Sequence, residues 1–161
     1  VFLELAAAFP AYRFVAVGRG SASAESAHDA GLRKRYEGIP NLEIPGFINR
    51  FTEPERMHAL LCRAHVLVNT AAREGLPLTF LEAAAHGCAI LSAVNPDGFA
   101  ERFGIMVTDG DFASGVRRIL DAGPELRGSL ARAYVLATYE KTAALAAHIG
   151  EYDRHARLKH L

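Results

Sequence analysis

Glu74 and Glu82 stand eight residues apart in the segment Arg73-Glu74-Gly75-Leu76-Pro77-Leu78-Thr79-Phe80-Leu81-Glu82, which continues Ala83-Ala84-Ala85-His86-Gly87. Pro77 opens a helical pattern and Gly87 stops it. Glu74 therefore sits just before a helix, beside its positive end. Glu82 lies roughly 7–8 Å further along the axis. Both carboxylates can border one cleft. Glu82 is the only formal charge between Glu74 and Asp97, and its helical neighbours are apolar. A carboxylate there is expected to be partly buried and to need hydrogen-bond donors. Two readings stand for it: the hydroxyls of a sugar, or a structural bond to backbone N–H groups or an arginine. Glu74 also has two readings. The helix dipole alone favours a carboxylate there, yet Gly75 and the Pro77 start leave free N–H groups suited to a phosphate. An acid beside an anion site suits a sugar hydroxyl.

The other candidates are weaker. Gly18-Arg19-Gly20 follows a strand pattern and could face a phosphate, but position 23 is Ser where a dinucleotide fingerprint has its third glycine. His58, His65 and His86 show no metal-ligand spacing in sequence, so no metal is expected. His86, at a helix C-terminus, reads as structural. Cys88 reads as a small core residue. Arg33-Lys34-Arg35 reads as a solvated charge run. A serine nucleophile elbow and a Walker-type loop are both absent from the sequence.

Such side chains need a scaffold. Short apolar runs at 13–17, 42–44, 65–69, 89–92 and 105–107 read as strands buried on both faces. Thr52-Glu53-Pro54-Glu55 is a capping-box pattern ahead of Met57, Leu60, Leu61 and Ala64 at helical spacing. Asp111 caps a helix with Phe112, Val116, Ile119 and Leu120 inward. Gly123-Pro124 opens the next, with Leu126, Leu130, Ala133 and Tyr134 on one face. A last helix runs from Lys141, with Leu145, His148, Ile149 and Tyr152 in register. Strand–helix alternation predicts an α/β fold, a Rossmann-like parallel sheet with helices on both faces. Ligands then bind outside the carboxyl ends of the strands, which selects the loops 18–21, 46–49, 70–77 and 94–98. The small, polar segment 22–30 is expected to be the most mobile.

With 161 residues, the chain is one domain's worth. Half the residues are apolar, which excludes a disordered class. Lys plus Arg and Asp plus Glu both number 18, so a general electrostatic grip on nucleic acid or anionic membrane is not indicated. No apolar run is long enough to span a bilayer. Two cysteines, Cys62 and Cys88, are too few for a disulfide framework, and a reduced, cytoplasmic setting is expected. Val1 lies in an apolar helical stretch that reads as cut at its start, so residues 1–161 are expected to be a piece of a longer protein.

The segment from Glu74 to Glu82 resembles the E-x7-E motif of retaining GT-B glycosyltransferases of the group 1 (GT4-like) family. Phe14-Val15-Ala16-Val17-Gly18 is similar to that family's second strand and glycine. Asn41-Leu42-Glu43-Ile44-Pro45-Gly46-Phe47-Ile48 resembles its N-V-x-x-x-G-F-V segment, and His65-Val66-Leu67-Val68-Asn69-Thr70 the strand into the motif. The resemblance implies a C-terminal domain that binds a nucleotide-diphosphate sugar, needs no metal or other cofactor, and transfers the sugar with retention. Carried over, Glu74 contacts the donor sugar and is the catalytic position. Gly75, Leu76 and Pro77 face the diphosphate, with only two N–H groups because proline has none. Glu82 binds ribose, Phe47 and Ile48 flank the base, and Gly18 and Arg19 lie near the phosphates. The implied partners are the donor and an N-terminal acceptor domain outside this sequence, the route for any peripheral membrane contact; nucleic acid is not among them. The last helix would pack across to that domain.

The chain departs from the pattern in places. The family commonly has a second glycine where Pro77 stands. The family's first strand, whose loop supplies an Arg and a Lys to the diphosphate, has no counterpart here, so the fold is expected to lack its first strand. That strand lies mid-sheet; the sheet should be open there, closed by direct pairing of 13–17 with 65–69, or filled by another segment. The chain alone is then expected to be inactive. Rival readings are a non-catalytic nucleotide-sugar-binding or regulatory domain, or another GT-B enzyme such as an epimerase or phosphorylase. A phosphorylase needs a cofactor lysine, and Lys34, Lys141 and Lys159 are poorly placed. A plain interaction module leaves Glu82 unexplained.

Overall fold

The computed structural model describes residues 1–18, 31 and 34–158. Arg19 and the segment 22–30 lie outside the described residues. The elements run α1 (Phe2–Ala8), β1 (Phe14–Val17), β2 (Leu42–Gly46), α2 (Pro54–Arg63), β3 (Val66–Asn69), α3 (Leu78–Ala85), β4 (Ala89–Ser92), α4 (Phe99–Phe103), β5 (Gly104–Met106), α5 (Phe112–Asp121), α6 (Pro124–Tyr139) and α7 (Lys141–Leu158). Every strand pairing is parallel. The fold is α/β and Rossmann-like, as the strand–helix alternation predicts.

Strand β4 explains the layering. It lies between β3 and β5, and all four of its residues are buried. Successive side chains of a strand point to opposite faces. Ile90 accordingly packs with Phe80, Phe99, Phe103, Ala131 and Val135, from α3, α4 and α6. Ala89 and Leu91 pack on the other face with Leu5, Phe14, Phe112, Val116 and Ile119, from α1, β1 and α5. An unbroken apolar run is what a strand between two helical layers requires. The outer strands are less enclosed: β3 is half-buried throughout and β1 fully buried only at Phe14.

Among the described residues the strands form two sheets, β1-β2 and β3-β4-β5. β1 is not paired with β3, and no described strand joins them. The two sheets are connected through the shared apolar cluster around Leu5, Phe14 and Leu91.

Two local expectations fail for identifiable reasons. Thr52 does not cap α2. The N-cap is Glu53, without a side-chain cap bond, and Pro54 holds the first turn. The Glu53 carboxylate instead accepts from Arg56 at 2.9 Å and from the Asn49 N–H at 3.3 Å, which hold it below the usual carboxylate range. Of the predicted stripe of α6, only Tyr134 packs against the core. Leu126 and Leu130 are 65% and 52% exposed, while Gly128, Ala131 and Val135 are buried. The inward face is built from small residues because α6 runs against the turn between α3 and β4. A Cβ on Gly128 would overlap the carbonyl of Gly87.

Cys88 follows that turn, fully buried, with its thiol donating to the Ala64 carbonyl at 3.2 Å. Burial pushes the thiol up from its ordinary 9.0 to about 11, with a smaller push from Cys62. A folded-state value above the unfolded one favours the folded state fully below pH 9. That contribution, on the order of 2 kcal/mol, is lost as pH rises through about 11. Urea midpoints should therefore fall across this window in the wild type and fall less in Cys88→Ala; equal losses would refute the assignment.

Candidate functional site

The loop from β3 to α3 carries the first glutamate. Asn69 ends β3 opposite Ser92 of β4. Its Oδ1 accepts the Ala71 N–H at 2.7 Å, which turns the chain out of the sheet. Its Nδ2 donates to Glu74 at 3.1 Å. Asn69 thus sets both the start of the loop and the position of the Glu74 carboxylate, which is otherwise exposed. The residues alone single out Glu74 but not Asn69; an Asn at a strand end, five residues before an acid, is the signal that could have found it.

Helix α3 begins at Leu78 with Pro77 as its N-cap, and no side chain caps it. The Phe80 N–H bonds back to the Pro77 carbonyl at 2.9 Å. Gly75 is exposed and open enough to take a Cβ. Leu76 and Pro77 are half-buried. The helix ends in a Schellman arrangement. The Cys88 N–H reaches the Ala83 carbonyl at 3.0 Å, the Gly87 N–H reaches Ala84 at 2.9 Å, and Gly87 takes φ +81.

Glu82 is on this helix, half-buried, with its carboxylate on Arg50. Of the two readings for Glu82, an arginine partner is therefore present. Arg50 comes from the loop after β2 and also lies over the Phe51 ring at 5.1 Å. The pair joins the β2 loop to α3. Both side chains keep over a third of their surface exposed, so the pair adds at most about 1 kcal/mol. Arg50 belongs to no motif in the sequence, and its approach to Glu82 is set by the fold alone.

The β1 and β2 ends meet nearby in the same ladder, where the Gly18 N–H donates to the Gly46 carbonyl at 3.2 Å. Gly18 is exposed, with open space at its Cα. Phe47 is 48% exposed, whereas Ile48 is 3% exposed and sits under the loop. Of these two, only Phe47 has a side chain at the surface. Gly18, Phe47, Gly75 and the two glutamates all follow carboxyl ends of strands or border them, where an open α/β sheet binds its ligands.

The family profile for glycosyl transferases group 1 matches residues 1–122, which hold every one of these positions. The chain belongs to the group 1 glycosyltransferases. No curated protein matches it. The matched region ends just past α5, so α6 and α7 lie outside it. α6 nevertheless supplies Ala131 and Val135 to the core around Phe80. No helix among the described residues of this glycosyltransferase domain is long and apolar enough to cross a membrane.

Sequence spacing failed to bring out one cluster. His58 and His86 are far apart in the chain, yet His58 Nδ1 lies 2.9 Å from His86 Nε2. Cys62, one turn after His58 on α2, approaches the His58 imidazole, with Sγ 3.4 Å from His58 Nε2. His65 is not part of this group. The sequence shows no metal-ligand spacing among the histidines; His58 and His86 meet because α2 packs beside the C-terminus of α3.

Proposed function

We propose that the chain binds a nucleotide-diphosphate sugar and serves as the donor half of a retaining glycosyltransferase of GT-B type. The observation that carries the reading is the placement of two carboxylates, Glu74 and Glu82, about the uncapped start of α3 in a chain of this family. Glu74, held by Asn69, contacts hydroxyls of the donor sugar. The N–H groups of Gly75 and Leu76, with the helix end behind them, face the diphosphate. Glu82 exchanges Arg50 for ribose hydroxyls. Phe47 lies against the base and Ile48 supports it from below. Gly18 and Arg19 lie toward the phosphates.

Glycosyl transfer builds positive charge on the sugar and negative charge on the departing diphosphate. Preorganised N–H donors and a helix dipole at the leaving group stabilise that state without a metal. The acceptor is held by a separate N-terminal domain. The exposed Leu145, Ile149 and Tyr152 of α7 fit packing across to it. Transfer by residues 1–161 alone is not expected. Two free cysteines fit a reduced, cytoplasmic setting.

Calorimetric titration of UDP-, GDP- and ADP-sugars into the protein tests the reading, with Glu82→Ala alongside. One nucleotide series is expected to bind, and Glu82→Ala to weaken it by about 1–3 kcal/mol, roughly 5- to 150-fold. A folded wild type that binds none of the three series, or a Glu82→Ala that binds as tightly as wild type, would overturn it.

A further inference from the structure

The imidazoles of His58 and His86 and the thiol of Cys62 converge on one point between α2 and α3. Their ligand atoms all lie within 4.8 Å of one another. His86 Nδ1 is 2.7 Å from the Glu82 carbonyl, which can only accept, so Nδ1 carries the proton and a neutral His86 leaves the Nε2 lone pair free. That lone pair points at His58 Nδ1. A carbonyl that fixes the tautomer of an imidazole in this way is the usual outer support of a metal-ligating histidine. His58 and Cys62 are four residues apart on one helix, hence on one face.

We infer that His58 Nδ1, Cys62 Sγ and His86 Nε2 form a binding site for a divalent transition metal, zinc foremost. Zinc takes nitrogen at about 2.0–2.1 Å and sulfur at about 2.3 Å in a tetrahedron, which sets ligand separations near 3.3 Å for N···N and 3.6 Å for N···S. The observed 2.9 Å between the imidazoles is about 0.4 Å shorter than the first value, and the 3.8 Å between Cys62 Sγ and His58 Nδ1 about 0.2 Å longer than the second. Small side-chain rotations bring them into line. The donor set, two imidazoles and one thiolate, suits zinc and excludes magnesium and calcium, which prefer oxygen. On binding, the Cys62 thiol gives its proton to solvent and its sulfur forms the bond to the metal. His58 changes tautomer, so that Nδ1 binds and Nε2 carries the proton. Water takes the fourth position. His58 and Cys62 are exposed and His86 is half-buried, so the ion reaches the site from solvent.

The site has a structural consequence. No residue of α2 is fully buried, so this helix is held by half-buried contacts alone. A metal shared with His86 ties α2 to the end of α3, one turn beyond Glu82. Ligand-linked stabilisation follows from mass action, because the unfolded chain does not hold the three donors together.

The test is titration of the chain, freed of metal by a chelator, with Zn²⁺ by calorimetry and with Co²⁺ by absorption. One ion per chain is expected, with a thiolate-to-cobalt charge-transfer band and a rise in melting temperature on zinc binding. Cys62→Ser should remove the band, and both Cys62→Ser and His86→Ala should weaken zinc at least about tenfold. His65→Ala and His148→Ala, at exposed histidines outside the cluster, should bind as the wild type does. Because Cys62 is exposed, Cys62→Ser should fold even if His86→Ala does not. A folded wild type with no saturable zinc binding overturns the assignment. So does zinc binding that Cys62→Ser and His58→Ala leave unchanged.

Discussion

Gly128→Ala is expected to lower the melting temperature by about 4–12 °C. Helix propensity argues the other way, since alanine is favoured over glycine by roughly 1 kcal/mol inside a helix. The close approach decides the sign. A Cβ at Gly128 would overlap both the carbonyl oxygen and the carbonyl carbon of Gly87, which are backbone atoms of the turn that ends α3. That turn cannot yield without breaking its paired Schellman bonds, so α6 must move off β4 and the core around Ala131 and Val135 must open. Overpacking of this kind costs about 1–3 kcal/mol, and more where backbone is the obstacle. Here backbone is the obstacle, which places the cost at or just above the top of that range, about 3–4 kcal/mol. With the propensity gain of roughly 1 kcal/mol subtracted, a net loss of about 2–3 kcal/mol stands, at about 2–4 °C per kcal/mol for a chain of this size. Thermal melts of Gly128→Ala beside the wild type measure it. An unchanged or raised melting temperature would show that α6 shifts freely and that the small-residue face is not what seats it.

Phe80→Ala should cost still more, about 3–5 kcal/mol. Phe80 is fully buried on α3, its ring 5.9 Å from that of Phe99, and it is the largest side chain in the cluster on that face of β4 with no exposure at all. A domain of this size has roughly 5–15 kcal/mol in total, so the variant is expected to be marginal or unfolded. Its functional meaning comes from position. Phe80 lies between Glu74 and Glu82 and anchors the helix that carries the second of them. Phe80→Leu retains most of the buried area and should lose less than about 1.5 kcal/mol. Urea midpoints of the two variants separate the effects. A loss below 1 kcal/mol in Phe80→Ala would mean that α3 is held in some other way.

The strands were legible because β4 and its neighbours are short apolar runs bounded by turn residues, and burial on both faces leaves that mark. The start of α3 is legible from Pro77 and its end from Gly87, so the positions of Glu74 just before the helix and of Glu82 on it can be read without coordinates. Other features left weaker marks. Helix α4 spans only Phe99–Phe103, too short to display a helical period, although Phe99, Ala100 and Phe103 are all buried. On α6, Leu126 and Leu130 outweigh Gly128 and Ala131 in any apolar pattern, whereas the packing selects for smallness and keeps only Tyr134 of that stripe against the core. Arg50 and the His58–His86 pair depend on which loops and helices become neighbours. No spacing within the chain encodes that.

The division into two sheets bears on how the domain can deform. A hydrogen-bonded ladder fixes register, because slipping it by one residue turns every side chain to the other face. Among the described residues no such ladder connects β1 to β3. The β1-β2 pair is seated by the apolar contacts of Leu5, Ala6 and Phe14 against Leu91 and Val116, and Arg50–Glu82 is a half-exposed ion pair. Apolar contact has no preferred direction along the surface it covers. A small sideways glide of the β1-β2 pair therefore breaks no strand pairing, and it carries Phe47 and Arg50 past Glu82. Shear of this kind would change the spacing of the two walls that flank the candidate site while each keeps its own internal geometry.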